Sequence, residues 1–449
     1  MEETAPGPPP AQPSPGSRAA PPSRGRAPTP PTPEDERWNV AVNTAHGAVQ
    51  AVGINLYNPF IGINLIRMGG SNFEVGLLSS LPPLAALVSN LLGARWLSRR
   101  RDPVASTAAM LALARLMALG LAAVDLLLPA GHAAWWWPAT FVAVFGLLNL
   151  PNSVGNLGWQ ALLTGLLSAQ RRGPALARRL GVASLVGVTI ALLAGWWAQG
   201  RPGVQGYVWL FALAAACGLA EGATFLRFRG RPAIQALPPN LLAAARRLWS
   251  DRPYRVFLLS CLPFYFGWLM AWPLFLKYNV SYNHASTLWM GAYAAVNALA
   301  STAGNALWER VSRRIAVAPA LGLSAVCLSI VPASYLFHPG LWGVMVPQVL
   351  GGIAGGGMNL MVLLRLMEVS PEADRVVAMG VSNAVVGAVG VVGPLVGIAL
   401  LGLIGVREVF WVPASLRLLG GLTLLAAAGP ALRALRRRGR GTGQAASPL

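Results

Sequence analysis

Twelve apolar runs follow one another along the chain, separated by short polar connections. They lie near residues 39–66, 75–97, 103–129, 136–167, 176–199, 206–226, 255–276, 286–308, 315–337, 341–367, 376–404 and 408–432. Each is close to or above the roughly 20 residues a helix needs to cross a bilayer. The fourth and tenth are long enough to tilt or to extend beyond the membrane. The pattern predicts an all-α membrane protein with twelve transmembrane helices in two pseudo-symmetric six-helix bundles. The longest internal connection, 227–254, divides the two sets of six. The expected organisation is a disordered Pro-rich tail at 1–37, bundles at 38–227 and 255–435, a linker at 228–254, and a basic tail at 436–449. Within the linker, LPPNLLAAARRLWSDRP has the spacing of a short amphipathic helix on the membrane surface.

Polar positions inside the runs form stripes, because residues three and four apart share a helix face. In the first run Asn39, Asn43, His46, Gln50, Tyr57 and Asn64 fall in one sector, while Asn55 and Asn58 point elsewhere. The fourth repeats the pattern with Asn149, Asn152 or Ser153, Asn156, Gln160 and Thr164. The tenth carries Gln348, Gly352, Gly355 and Asn359, and the seventh an aromatic version, Cys261, Tyr265, Trp268, Trp272 and Phe275. One isolated amide reads plainly as a hydrogen bond between helices. Four stripes point instead to a hydrated central cavity, where amides escape most of the burial penalty. The expected cavity residues are Asn43, His46, Gln50, Tyr57, Asn149, Asn152, Asn156, Gln160, Tyr265, Trp268, Trp272, Gln348 and Asn359.

The two halves resemble one another. NLLGARWLSRR (90–100) aligns with GNALWERVSRR (304–314). GNLGWQALLTGLLSAQRR (155–172) aligns with MNLMVLLRLMEVSPEADR (358–375), which sets Asn156 opposite Asn359. Internal repetition of this kind is characteristic of transporters with a site between the repeats.

Composition agrees. Of 449 residues 55% are hydrophobic and 11% charged, where a soluble protein carries about 25% charged. The formal net charge of +20 raises the question of nucleic acid, but the arginines form no single patch. Alternate connections hold Arg99 to Arg101; Arg171, Arg172, Arg178 and Arg179; Arg227, Arg229, Arg231, Arg246, Arg247, Arg252 and Arg255; Arg310, Arg313 and Arg314; and Arg375. The opposite connections offer only Arg67, Arg201, Lys277 and Arg407. This bias places both termini in the cytoplasm of a multi-pass plasma-membrane protein and argues against nucleic acid as a partner. Cys217, Cys261 and Cys327 fall inside apolar runs and read as buried small hydrophobes.

Ionisable residues inside the runs are functional candidates by default. They are His46, Arg115, Asp125, Glu221, Arg365, Glu368 and Arg417. Asp125 and Glu221 lie near opposite ends of their runs and read as interfacial, Glu221 with Arg227 close by. His46 is the only histidine inside a run. An imidazole titrates at about 6.5, which makes His46 the candidate for coupling transport to protons. No carboxylate lies at mid-depth on an expected cavity face, so facilitated transport and coupling through His46 are both open.

Three stretches resemble the major facilitator superfamily. GGSNFEVGLLSSLPPLAAL (69–87) is similar to its G-x-S-x-x-x-x-G-L-L pattern. GNLGWQALLTGLLSAQRRG resembles the G-N-x-x-W stretch, ending in R-G, of a broad bacterial branch, and GPLVG (393–397) resembles a glycine-proline packing motif. The resemblance covers nearly the whole chain after the tail. It implies two bundles that rock around a central site lined by the first, fourth, seventh and tenth helices, the four that carry the stripes. It also implies that the third and twelfth helices are peripheral, which gives Arg115 and Arg417 structural, interhelical roles. Two departures stand out. Arg95 and Gly165 occupy positions where relatives carry Asp, whereas the C-terminal copies keep acids. Those copies hold Glu309 before Arg310, Arg313 and Arg314, and Glu368 with Pro371, Glu372 and Arg375. The expected cytoplasmic gate therefore works from the C-terminal half, with Glu309 engaging Arg178 and Arg179.

Secondary-active or facilitative transport of a small organic solute by alternating access is the function these features predict. Amides and aromatics with few fixed charges suit a neutral or weakly charged molecule. Sugar-like and amphipathic drug-like solutes both fit, and the direction of transport is open. No cofactor or metal is expected, and a monomer is. The alternatives are an integral-membrane enzyme or a non-transporting receptor. The chain has no Asp-rich motif, HExxH, GxSxG or phosphate-binding GKT/S to support the enzyme. His132, His284 and His338 are scattered, and no ordered extramembrane domain is in evidence for a receptor.

Overall fold

The computed structural model describes residues 32–127, 136–201, 204–230, 232, 241–337, 340–371 and 375–429. The expected N-terminal tail up to 31, His132, His338, Glu372 and the basic tail 436–449 lie outside them. Each of the twelve apolar runs is mainly helical over its described residues. The N-terminal half comprises α1 (Pro33–Asn55), α2 (Asn58–Arg67), α3 (Asn72–Val88), α4 (Ala94–Ser98), α5 (Pro103–Leu116), α6 (Ala118–Leu127), α7 (Trp136–Leu166), α8 (Ala169–Gln199) and α9 (Gln205–Phe225). The linker holds α10 (Leu241–Ser250). The C-terminal half comprises α11 (Arg252–Lys277), α12 (Thr287–Ile315), α13 (Val317–Tyr335), α14 (Met345–Val369), α15 (Arg375–Ile404) and α16 (Trp411–Ala427). Among the described residues, eight helices are long and apolar enough to cross a membrane.

Local chemistry sets several boundaries. Ser71 and Glu74 form a reciprocal capping box at the start of α3, and the Asp102 side chain accepts from the Ala105 N–H ahead of α5. The first run is interrupted at Asn58-Pro59. Pro59 has no N–H for the Asn55 carbonyl, so α1 stops and α2 restarts. The helical phase is broken there, and Asn58 is exposed.

The two halves repeat one packing scheme. In the first, α1 packs on α8 and α9, α5 on α7 and α9, and α3 on α7. In the second, α11 packs on α15 and α16, α13 on α14 and α16, and α12 on α14. The bundles meet through two equivalent pairs, α3 with α15 and α8 with α12. The linker helix α10 packs on α11 and α15, with Leu248 buried in the C-terminal core.

The arginine clusters mark one end of the molecule, the basic end, where α1 begins. At the opposite end the apolar core runs unbroken across both bundles, joining Phe60, Phe141 and Phe211 to Tyr278, Tyr335 and Phe410. Elsewhere each half keeps clusters of its own, with Val42, Leu162 and Phe225 in one and Tyr254, Phe257 and Leu366 in the other. Lipid tails are as apolar as leucine, so close packing, not exclusion of water, joins such helices. A Cβ on Gly291 would lie 2.5 Å from the Ala191 carbonyl oxygen, and one on Gly195 would lie 3.0 Å from that of Thr287. Glycine is what lets α8 and α12 touch. Polar ties sit at the same end. Arg67 Nη1 donates to Tyr207 Oη (2.7 Å) and Thr287 Oγ1 (3.2 Å), and Ser286 Oγ donates to Gln199 Oε1 (2.9 Å).

Toward the basic end the same two helices part. Leu180 stands eleven positions before Ala191, about three turns along the same face, and is 63% exposed. Glu309 stands eighteen positions after Gly291, about five turns, and its side chain is 54% exposed.

Candidate functional site

Five helices of the N-terminal bundle bring their polar side chains to one buried network. Arg115 of α5 donates from Nε to Glu221 Oε2 of α9 at 3.0 Å, and from Nη1 to Tyr57 Oη (3.1 Å) and Asn152 Oδ1 (3.2 Å). Gln50 of α1 donates to the other Glu221 oxygen at 3.0 Å and to Asn156 Oδ1 at 3.4 Å. Arg179 of α8 donates to Gln50 Oε1 (2.6 Å), the Asn43 carbonyl (3.0 Å) and His46 Nδ1 (2.7 Å). Its guanidinium lies 4.0 Å from the Trp159 ring, whose Nε1 donates to Asn43 Oδ1. His46, Arg115, Arg179 and Glu221 are all buried.

The helices approach closely enough for this because small residues make room. The space for the Arg115 side chain is left by Gly218, and that for Arg179 by Gly47. The network also fixes the tautomer of His46. A guanidinium only donates, so Nδ1 must accept and the ring proton sits on Nε2, facing Glu221 Oε1 at 3.5 Å.

Glu221 is therefore not interfacial: it is a buried carboxylate of the N-terminal bundle, paired with Arg115. Arg115 bridges α5 to α9, α7 and the α1–α2 break. Asp125 is likewise buried, because both its oxygens accept from Asn64 Nδ2 (3.0 and 2.8 Å). Asn39 of the first stripe ties the start of α1 to two distant segments, donating to the carbonyls of Leu166 and Arg229. Asn55, outside the stripe, bonds within its own helix, donating back to Ala51.

A second polar region is a cavity of about 750 Å³ between the bundles. From the N-terminal half it takes Asn58, Ser79 and Phe145. From the C-terminal half it takes Trp268, Trp272, Tyr293, Asn297, Gln348, Asn359 and Arg417. Asn297 donates to the Gln348 carbonyl at 3.2 Å, and Trp268 stacks on Tyr265 with ring planes 8° apart. Arg417 is buried and donates to the backbone carbonyls of Leu328 (3.0 Å), Gly267 (3.2 Å) and Trp268 (3.4 Å).

Residues 257–449 match the sequence profile described as Major Facilitator Superfamily. Solved structures of similar fold extend the likeness to the other half. A mutant of the nucleoside transporter NupG has a TM-score of 0.68 at 11% identity, covering 86% of this chain and 99% of its own. A bacterial homologue of the iron transporter ferroportin in an inward-facing state has a TM-score of 0.65 at 12%, covering 88% and 99%. The xylose transporter XylE from E. coli, partially occluded and inward open, has a TM-score of 0.63 at 12%, covering 87% and 97%. The second half of the chain thus matches the major facilitator superfamily, and the whole chain shares the fold of these transporters. No curated protein matches its sequence.

The expected cavity residues divide into three groups. Trp268, Trp272, Gln348 and Asn359 line the space between the bundles, and Tyr265 stands behind Trp268. Asn43, His46, Gln50, Tyr57, Asn152 and Asn156 belong to the N-terminal network. Asn149 donates to its own helix at Phe145 and Gln160 is exposed. Of the expected gate residues, the two acids pair within their own helices. Glu309 pairs with Arg313 on its own helix at 2.6 Å, and Glu368 with Arg365 at 3.0 Å. Arg178, Arg310 and Arg375 are exposed, while Arg179 turns inward. With α8 and α12 parted at this end, Glu309 has no route to Arg179. Sequence reasoning did not name Asn58, Tyr293 or Asn297 for the cavity, or pair Arg115 with Glu221. One signal was available for the pair: opposite charges inside two runs of the same half need each other.

Proposed function

We propose that this chain carries a small organic solute, neutral or weakly charged, across the plasma membrane by alternating access of its two bundles. The observation that carries the reading is the cavity of about 750 Å³ between bundles that touch at one end and part at the other. Such a volume falls in the range of roughly 300–1,000 Å³ typical of small-molecule sites. With the arginine-rich connections in the cytoplasm, the parted end faces inward and both termini are cytoplasmic. The pseudo-symmetric contacts α3–α15 and α8–α12 are the hinges about which the opposite end would open.

Coupling to protons through His46 remains the reading for the energy source. Its support is the contact of His46 with both Arg179 and Glu221. A proton on Nδ1 would remove the acceptor that Arg179 uses and release α8 from α1. Solutes that raise the melting temperature of the purified protein should be taken up by proteoliposomes containing it. An imposed pH gradient should accelerate uptake by the wild type and leave His46→Gln unchanged. A membrane enzyme or a receptor would bind solutes and accumulate none.

A further inference from the structure

We infer that the central cavity selects an organic monoanion, whose carboxylate or phosphate rests against Arg417 while its apolar body lies along Trp268, Trp272 and Phe275. The inference deepens the transport reading and rests on it, since it names the solute class for the same cavity. Among the described residues lining the cavity, Arg417 is the only charged one. It is 2% exposed, its guanidinium lies 5.7 Å from the Phe275 ring, and it donates to three neutral backbone carbonyls.

One of those bonds has a structural cause. Leu328 would normally receive the N–H of residue 332, which is a proline, and Arg417 Nη1 takes its place. A neutral donor would satisfy that carbonyl equally well, so the carbonyl accounts for a donor and not for a charge. The acids of the described C-terminal half are Asp251, Glu309, Glu368 and Glu408. Asp251, Glu368 and Glu408 lie at or beyond the first or last turns of α11, α14 and α16, and Glu309 lies within the last two turns of α12, with its side chain exposed. A buried cation in such surroundings is retained at a substrate pathway when a mobile anion completes it. Three consequences follow for the solute. A cation is repelled, a neutral molecule leaves the charge unmatched, and a dianion overshoots it. The exposed Trp272 face and the Trp268–Tyr265 stack supply a flat apolar wall beside the charge. Asn297 and Gln348 stand on the facing helices to accept or donate to polar substituents.

The test uses the full-length protein in phosphatidylcholine nanodiscs and a matched series: phenylacetate, the monoanionic diester methyl phenyl phosphate, neutral phenylacetamide and cationic phenethylamine. Intrinsic tryptophan fluorescence reads binding, and thermal shift confirms it. The wild type should bind the best anionic member at least about tenfold more tightly than phenylacetamide, and phenethylamine least. Arg417→Gln keeps donors for the Leu328 carbonyl and should bring the anions down to the affinity of the amide. Arg417→Lys should retain part of the preference, which holds the test open if the glutamine variant does not fold. Equal affinity across the series, no binding by any anionic member, or a preference undiminished in Arg417→Gln overturns the proposal. Uptake of phenylacetamide without anion preference would sink this inference and leave the transport reading standing. Anion binding that never leads to uptake in proteoliposomes would do the reverse.

Discussion

Arg115 and Glu221 meet at 3.0 Å with neither side chain more than 1% exposed. Around this pair the N-terminal bundle arranges one carboxylate, two arginines and a histidine on α1, α5, α8 and α9. Taking charges out of water is costly, and a buried pair is tolerable only when its remaining hydrogen-bonding positions are filled. Here Gln50 donates to Glu221, and Tyr57 and Asn152 accept from Arg115 Nη1, which leaves only Arg115 Nη2 of the pair without a partner among the described residues.

Glu221→Gln leaves two buried guanidinium groups without a counter-charge. The expected loss of stability is about 3–5 kcal/mol, the usual cost of removing one partner of a buried ion pair. Replacing both partners with Arg115→Met and Glu221→Leu should be milder than either single change. Thermal unfolding in one detergent, read for all three proteins, checks the order.

Arg178 and Arg179 are neighbours with opposite fates. Arg178 is exposed, and Arg178→Ala should alter stability by no more than about 0.5 kcal/mol. Arg179→Ala removes bonds to Asn43, His46 and Gln50. Bonds to a charged donor contribute about 1.5–3 kcal/mol each, so the loss should reach about 3 kcal/mol or more. Chemical denaturation of the two variants side by side reads the difference.

Gly218 gives Arg115 the space it occupies on α9. Gly218→Ala drives a methyl group into the rigid Cβ of Arg115, and overpacking of this kind costs about 1–3 kcal/mol. Gly173 has no atom near its would-be Cβ, and Gly173→Ala should be neutral or slightly stabilising. Melting temperatures of the pair test the packing argument separately from the electrostatics.

Much of this architecture was legible in the chain. The apolar runs fixed the helices, and the matched stretches around Arg100 and Arg314 announced the repeat that the α3–α15 and α8–α12 contacts complete. The polar stripe on α1 also grouped Asn43, His46 and Gln50, which in the structure share Arg179 as a hydrogen-bond partner. Their surroundings were not legible. A stripe shows that a face is polar, but the same face can meet a cavity or the charged interior of a bundle. The deciding partners, Arg115, Arg179 and Glu221, lie more than sixty residues away on three other helices. The break at Asn58-Pro59 was written in the sequence, yet treating the run as one helix carried the phase past it. That is why Asn58 was set aside although it borders the cavity. Burial of Asp125 depended on Asn64, a partner that helical spacing within one run cannot reveal.

The central claim is that the two bundles alternate between parting at the basic end and parting at the opposite end. It is tested by double electron–electron resonance on the protein in bilayers, with Cys217, Cys261 and Cys327 replaced by serine. One spin-label pair sits at Leu180 and Thr302 near the parted end, the other at Gln199 and Ser286 across the closed end. The account predicts two distance populations for each pair, with the long distance at one end accompanying the short distance at the other. Binding of a transported solute should shift both populations together. A single fixed distance at each pair, unchanged by every solute that binds, would contradict it.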